Sequence, residues 1–461
     1  MATRPLVLLH GYAAQANTFD KWKSILQGFG FNLQTDIFIG NYVTLNNEIT
    51  VDDISEGFDR ALRAKKIADQ PFDIIVHSTG MLVLRAWLTA PNAEDRQRLL
   101  KHVIAFAPAT FGSPLATKGR SLLGRIFLGN HQLGPDFLNS GNLVLNNLEI
   151  GSSYTWNLAH RDLFGAKAFY DANPDTPYVF VFDGTSDYGK LAEIFLEDDQ
   201  LGSDGVVRWA GVSLNSRKII LDLTRTPSDP DRLSWSNWIN VKIPLIPVAG
   251  VNHNQILSAP PNGLPELVLQ ALKVDSAGKL DEFYKAAAGT DVVKRGQARL
   301  DADPWQQFVV HAVDERGNAI DDYSIEILMR DANGKDTSIP AFENAVHPYT
   351  LDPSFRCFHV RLKDVPLSDF GVNGNKVIVR VSASTGTGLV GYQGFGDTVS
   401  PLGPTINQVE LDITKHTIDA NQKLFFPFTT TLIEVFLNRE PLCSTDGIYD
   451  IFQFGVTAED A

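Results

Sequence analysis

Cysteine is nearly missing from this chain. Two thiols, Cys357 and Cys443, among 461 residues cannot build a disulfide framework, and two buried thiols are a simpler expectation than one bridge. No Cys/His cluster has zinc spacing, so no metal is expected. No apolar run approaches the roughly 20 residues of a membrane-crossing helix. Positive charge is the minority: 40 Lys and Arg stand against 54 Asp and Glu, a net charge of -14. That argues against a nucleic-acid partner, which requires a concentrated basic face, and the acidity reads as ordinary solvated surface. Repeats and low-complexity tracts are also missing. A signal peptide is not visible, because Met1–Pro5 leads directly into the strand-like Leu6–Leu9 and His10-Gly11 ends the run. The localisation expected from this is cytoplasmic, a trimmed mature form, or export by a non-standard route.

What is present is a change of rhythm along the chain. The length is too great for one core and predicts two domains. Up to about Leu280, strand patterns (5–9, 36–40, 72–76, 102–106, 178–182, 244–248) alternate with helical ones (19–29, 54–62, 80–89, 264–272). Such alternation predicts a mostly parallel sheet with helices on both faces. Between Gly112 and Tyr170 no strand signal appears, but leucines and phenylalanines abound. A long insertion of this kind is usually functional, and a helical cap over the site is expected at about 112–170, with simple packing against the sheet as the alternative.

Near Ala286–Arg299 the pattern shifts. From Phe308 onward, short alternating runs are separated by turn clusters such as Asp314–Asn318 and Asp331–Asp336. This predicts an antiparallel β-sandwich. The expected boundaries are 1–285 for the first domain and 300–461 for the second. The acidic turns have oxygen donors that calcium could use, but hairpin turns are the expectation. Gly391–Gly396 reads as an exposed loop tip.

Four pieces of the first domain carry chemistry. Phe72–Val76 ends in His77-Ser78-Thr79-Gly80, and a helical pattern follows at once. A strand–serine–helix junction is where a strained turn lifts a hydroxyl clear of the backbone. The hydroxyl needs a base and oxyanion donors to act as a nucleophile. Val251-Asn252-His253-Asn254 follows the last strand and offers an imidazole; His131 and His160 are alternatives that follow no core strand. Asp204, in Gly202-Ser203-Asp204-Gly205-Val206-Val207, offers the carboxylate, with Asp183 and Asp187 as rivals. His10-Gly11-Tyr12 ends the opening strand.

In the order Ser78, Asp204, His253, these pieces resemble the α/β-hydrolases, and within that fold the bacterial lipases and esterases, over roughly the first three-fifths of the chain. The resemblance implies Ser78 as nucleophile, His253 as base and Asp204 as the acid that orients it. It places the oxyanion between the backbone amides of Tyr12 and Thr79. It implies no cofactor and a lipid or ester substrate, with contact at a lipid surface. One position departs from the family's Gly-x-Ser-x-Gly pattern: Val76 stands where the first glycine would be. The implied activity is lipid-ester hydrolysis through an acyl-serine. A phospholipase or an acyltransferase would use the same three residues, and a binding protein with an inactive hydrolase domain is the reading of another class. The segment Phe106–Ala116 resembles the strand end that leads into the cap of lipases. The sandwich is similar in architecture to the lipid-binding C-terminal domains of some lipases and phospholipases.

Overall fold

Short apolar runs make the sheet that organises the first half of the chain. A computed structural model describes residues 4–11, 16–40, 42, 47–91, 96–117, 141–186, 201–236, 243–343, 346–394, 408–418, 423–441 and 451. The chain forms two units. One comprises Met1–Ser216, Trp238–Gln307 and Pro427–Thr430; the other comprises Arg217–Asn237, Phe308–Phe426 and Thr431–Ala461.

In the first unit, the strands are β1 (Leu6–Leu9), β2 (Ile37–Gly40), β3 (Phe72–His77), β4 (Leu100–Phe106), β5 (Tyr178–Gly184) and, after β6 (Ser216–Asp222) and β7 (Leu233–Trp235), β8 (Leu245–Val248). The sheet order is β2-β1-β3-β4-β5-β8, and every pairing is parallel. Burial on both faces explains why β3 and β4 read as continuous apolar runs rather than alternating ones. The helix α1 (Asp20–Gly28) presents Trp22 and Leu26 to the core. The helix α2 (Val51–Ala64) starts at a capping box, with Thr50 and Asp53 satisfying each other's backbone N–H groups. The helix α3 (Gly80–Thr89) is buried from Gly80 to Leu88, which requires an apolar surface all round. Its one charge, Arg85, is fully buried and forms two hydrogen bonds to Asp162, at 2.7 and 2.9 Å. No helix among the described residues is long and apolar enough to cross a membrane.

Part of the expected cap is core instead. The helices Asn142–Leu148 and Ser153–Asp162 contribute Val144, Leu145, Leu148 and Leu158 to the main apolar cluster. The middle of the segment, 118–140, lies outside the described residues.

The second unit holds two sheets. Its strands are β9 (Trp305–Asp314), β10 (Asp322–Arg330), β11 (Asp336–Ser338), β12 (Val346–Pro348), β13 (Phe355–Arg361), β14 (Lys376–Ser384), β15 (Val390–Gln393), β16 (Gln408–Asp412) and β17 (Thr430–Pro441). One sheet runs β11-β10-β14-β16; the other runs β12-β13-β9-β17-β6-β7, with β15 beside β17. The pairings of β10 with β11 and β14, and of β14 with β16, are antiparallel. The expected boundaries of 1–285 and 300–461 differ from this division in two ways. Segment 217–237 supplies β6 and β7 to the second unit's sheet, because Ile219, Leu221 and Leu223 join the sandwich core. The helices Ala277–Gly289 and Asp291–Ala302 stay with the first unit, burying Leu280, Phe283, Val292 and Val293 in its core.

Smaller features follow local chemistry. The Asp314 carboxylate accepts the backbone N–H groups of Arg316 (2.9 Å) and Asn318 (2.8 Å), which closes a turn from within. Asp331 does the same for Asn333 and Lys335, both at 2.9 Å. Segment 391–394 is not a loop tip: it lies largely in β15, paired to β17, with Tyr392 buried. Cys357 is buried, and Cys443 lies outside the described residues.

Candidate active site

The turn between β3 and α3 carries Ser78 at φ 53°, the left-handed region that a residue with a Cβ seldom occupies. Such a conformation persists only where its surroundings hold it. Here the Ser78 N–H donates to Phe106 O at 3.1 Å, and Ser78 O accepts from Met81 and Ala109, both at 3.1 Å. The glycine missing at Val76 does not prevent the turn. Val76 is fully buried and paired with Leu9 and Ala105 within the sheet.

The two glycines around the turn do have steric work. A Cβ on Gly80 would lie 2.9 Å from Leu9 O and 3.0 Å from His10 O, so glycine lets α3 start against the end of β1. A Cβ on Gly11 would lie 2.7 Å from the Cβ of Ser78. The backbone of the His10-Gly11 turn therefore passes directly beside the serine. Tyr42 holds that turn from the other side: its hydroxyl donates to His10 O at 2.5 Å, and its ring stacks on His10 at 4.4 Å. Tyr12 lies outside the described residues. Thr79, at the start of α3, is fully buried.

Asp204 and His253 are brought together from 49 residues apart, with both side chains fully buried. His253 Nδ1 lies 2.6 Å from Asp204 Oδ2. A carboxylate only accepts, so Nδ1 carries the proton and Nε2 is the basic nitrogen. The other oxygen, Oδ1, accepts the N–H groups of Val206 and Val207, both at 2.8 Å. This explains the Asp-Gly-Val-Val pattern: Gly205 turns the chain at φ 95° so that two successive amides return to the carboxylate. A backbone bond from His253 N to Asp204 O, 3.2 Å, fastens the two loops. Ser113 adds another brace, donating to Val206 O at 2.6 Å.

Asp183, the rival acid, lies beside Asp204 and not at the imidazole. Burial, and then the negative charge of Asp204, push its carboxyl well above the usual range. Both effects favour the protonated, uncharged form of Asp183 beside the Asp204 carboxylate. Its Oδ1 accepts the N–H of Gly184 at 2.8 Å. Asp187 and His131 lie outside the described residues. His160 bonds the carbonyl of Trp156, one turn back in its own helix, at 2.9 Å.

His77 was visible in the sequence only as part of a motif. Its Nε2 lies 3.0 Å from His253 O, and the two rings are 4.7 Å apart. A carbonyl only accepts, so Nε2–H is the donor. Burial, and then the neighbouring His253, hold the His77 ring well below the usual imidazole range, which keeps it neutral. The serine turn is thus tied to the imidazole loop through the residue before the serine. No sequence signal marks this bond, because its partners are 176 positions apart. Among the described residues, no group of three His, Cys, Asp or Glu side chains is placed to hold a metal ion.

A parallel sheet in this strand order, with a left-handed serine between β3 and α3 and a buried Asp–His pair on the loops after β5 and β8, is the α/β-hydrolase fold; an antiparallel β domain accompanies it. No protein-family model matches the sequence, and no curated protein matches it. Among solved structures, the chain is similar to phospholipase PlaB from Legionella pneumophila, with a TM-score of 0.75 and 20% identity, covering 100% of this chain and 97% of that one. The same phospholipase in complex with thio-NAD gives a TM-score of 0.73 at 20% identity, covering 99% and 97% of the two chains. The mature form of Bacillus licheniformis lipase BlEst2 gives a TM-score of 0.38 at 15% identity, covering 59% and 92%.

Proposed function

We propose that this protein is a serine carboxylester hydrolase acting on lipid-type esters, with Ser78 as nucleophile, His253 as base and Asp204 as the acid behind it. The observation that carries the reading is the conjunction at one sheet end. A strained Ser78 (φ 53°) is joined through His77 to a histidine whose Nδ1 is committed to a buried carboxylate at 2.6 Å. In this reading, Ser78 Oγ attacks the ester carbonyl and passes its proton to His253 Nε2. The oxyanion lies between the amides of Tyr12 and Thr79, the latter favoured by the start of α3. His253 then protonates the departing alcohol, releasing it and leaving an acyl-serine. A water molecule gives its proton to His253 as it attacks, the acid departs, and Ser78 recovers its proton.

Ser78→Ala is expected to keep the fold and to lower hydrolysis of p-nitrophenyl octanoate by about 10⁴-fold or more. Turnover by the variant at the wild-type rate would end the proposal. A labelled organophosphonate should leave one phosphonyl group on the wild type, its leaving group released, and none on Ser78→Ala.

The likeness to a phospholipase over both units supports a narrower form of the same reading, in which the ester is that of a phospholipid. Release of fatty acid from phosphatidylcholine vesicles tests it. An acyltransferase would instead give a new ester when a competing alcohol is added.

A further inference from the structure

The loop after β8 carries Val251-Asn252-His253-Asn254 and runs into the short helix Gln255–Ser258. Both backbone groups of His253 are committed to other elements. Its N–H donates to Asp204 O at 3.2 Å, and its carbonyl accepts from His77 Nε2 at 3.0 Å. Neither bond shapes the loop itself. That falls to the residue before it. Asn252 Oδ1 accepts the N–H groups of Asn254 (3.2 Å) and Gln255 (3.0 Å), reaching past His253 to the two residues that follow it. Gln255 Oε1 returns to the N–H of Asn252 at 3.1 Å. The two side chains, three positions apart, make the reciprocal arrangement of a capping box, and His253 is enclosed within it.

The opening N–H groups of a helical turn have no acceptor within the turn. Here those of His253, Asn254 and Gln255 go to Asp204 O and, twice, to Asn252 Oδ1, while the N–H of Ile256 goes to Asn252 O at 3.2 Å. Asn252 therefore supplies three of the four acceptors that hold the base's turn closed.

The loop has little room on the sheet side. A Cβ on Gly184, at the end of β5, would collide with Val251 O and lie 3.2 Å from the carbonyl carbon of Asn252. Asn252 is buried, whereas Gln255 is exposed, so the Asn252 oxygen is the member of the pair shielded from competing water. An amide also brings no charge. Aspartate caps a helical turn about as well as asparagine does, but it would set a second carboxylate beside the Asp204–His253 pair.

We infer that Asn252 is the positioning residue of His253: its amide oxygen fixes the turn that presents the imidazole, and its neutrality keeps a further negative charge from the ring. This role rests on His253 being the base, as proposed above, and is exerted through the placement of the imidazole.

The test measures kcat, KM and the pH profile of p-nitrophenyl octanoate hydrolysis by the full chain. Asn252→Ala removes the acceptor. It should lower kcat by about 10- to 100-fold with little change in KM, the size expected when a catalytic group is slightly misplaced. Asn252→Asp keeps the acceptor, so it should fold and retain most of kcat at alkaline pH. Its added negative charge favours the imidazolium, so the acid limb of kcat/KM should move to higher pH, by roughly half to one unit. If Asn252→Ala fails to fold, Asn252→Asp carries the test by itself. The inference is overturned if Asn252→Ala keeps the wild-type kcat, if its loss lies in KM, or if Asn252→Asp loses as much kcat as Asn252→Ala. An acid limb unmoved by Asn252→Asp overturns it as well, since residue 252 would then lie away from the imidazole. A wild type without esterase activity ends the proposed function and this inference together, whereas an active wild type matched by Asn252→Ala ends the inference alone.

Discussion

The Nε2–H of His77 donates to the carbonyl oxygen of His253 across 3.0 Å. The residue before the proposed nucleophile thereby holds the residue proposed as its base. The bond is between a neutral imidazole and a backbone group, so it sets position without adding charge to the site.

His77→Ala should therefore lower kcat for an octanoate ester by up to about 100-fold, the size expected from a small misplacement of a catalytic group, with little change in KM. His77→Gln, whose amide can still donate, should recover part of that loss. Equal losses in both variants, tracking a common fall in melting temperature, would reduce His77 to a packing residue.

Asp183 offers a test that depends on pH. Its folded pKa is raised by burial and then by Asp204, above the value near 3.9 of a free aspartate. Above about pH 4 the folded state therefore holds a proton that the unfolded state has lost. Its contribution to stability is fully present below the unfolded pKa and declines as pH rises through the folded one. Asp183→Asn imitates the protonated form and removes the titration. The melting temperature of the variant should gain on that of the wild type as pH increases from 4 to 8. A difference that is flat or reversed with pH would show that Asp183 is ionised in the folded protein.

Arg85 and Asp162 form an ion pair with no solvent exposure on either side chain. Arg85 also donates to Thr110 O at 2.6 Å, and Asp162 accepts from the Tyr170 hydroxyl at 2.8 Å. Removing one charge strands the other, so Arg85→Met should destabilise the first unit by about 3–5 kcal/mol. The double variant Arg85→Met with Asp162→Leu should recover a substantial part. Urea unfolding of the three proteins measures both values, and additive losses would contradict the pairing.

Val76 occupies the place of a family glycine but is fully buried within β3. Restoring glycine should cost about 1.5–3 kcal/mol of buried apolar side chain without raising turnover, because Ser78 already holds its left-handed conformation. An increase in ester hydrolysis by Val76→Gly would mean that the valine crowds the turn.

How much of this was legible in the chain depended on how far apart the partners lie. The parallel sheet was readable because burial on both faces leaves uninterrupted apolar runs such as Ile74-Ile75-Val76. The serine junction was readable because a strand pattern gives way to a helix within three residues. Candidates for the acid and the base could be named, since each ends a recognisable element. The Asp-Gly-Val-Val pattern favoured Asp204 over Asp183 by resemblance, without a contact to decide it. Both precede glycine, and the 2.6 Å separation of Asp204 from His253 Nδ1 distinguishes them in space.

The segment 217–237 shows the same limit on a larger scale. Its two short strands sit in sequence between Asp204 and His253, yet they complete a sheet whose other members begin beyond residue 300. Local patterns in the amino-acid sequence determined the alternating architecture, the serine turn and the short strands of the second unit, because each arises from neighbours a few residues apart. The tertiary structure alone decided which sheet β6 and β7 join, which carboxylate meets the imidazole, and that His77 braces it. Those outcomes depend on side chains that are distant along the chain meeting at contact range, and no periodicity within a single segment encodes such a meeting.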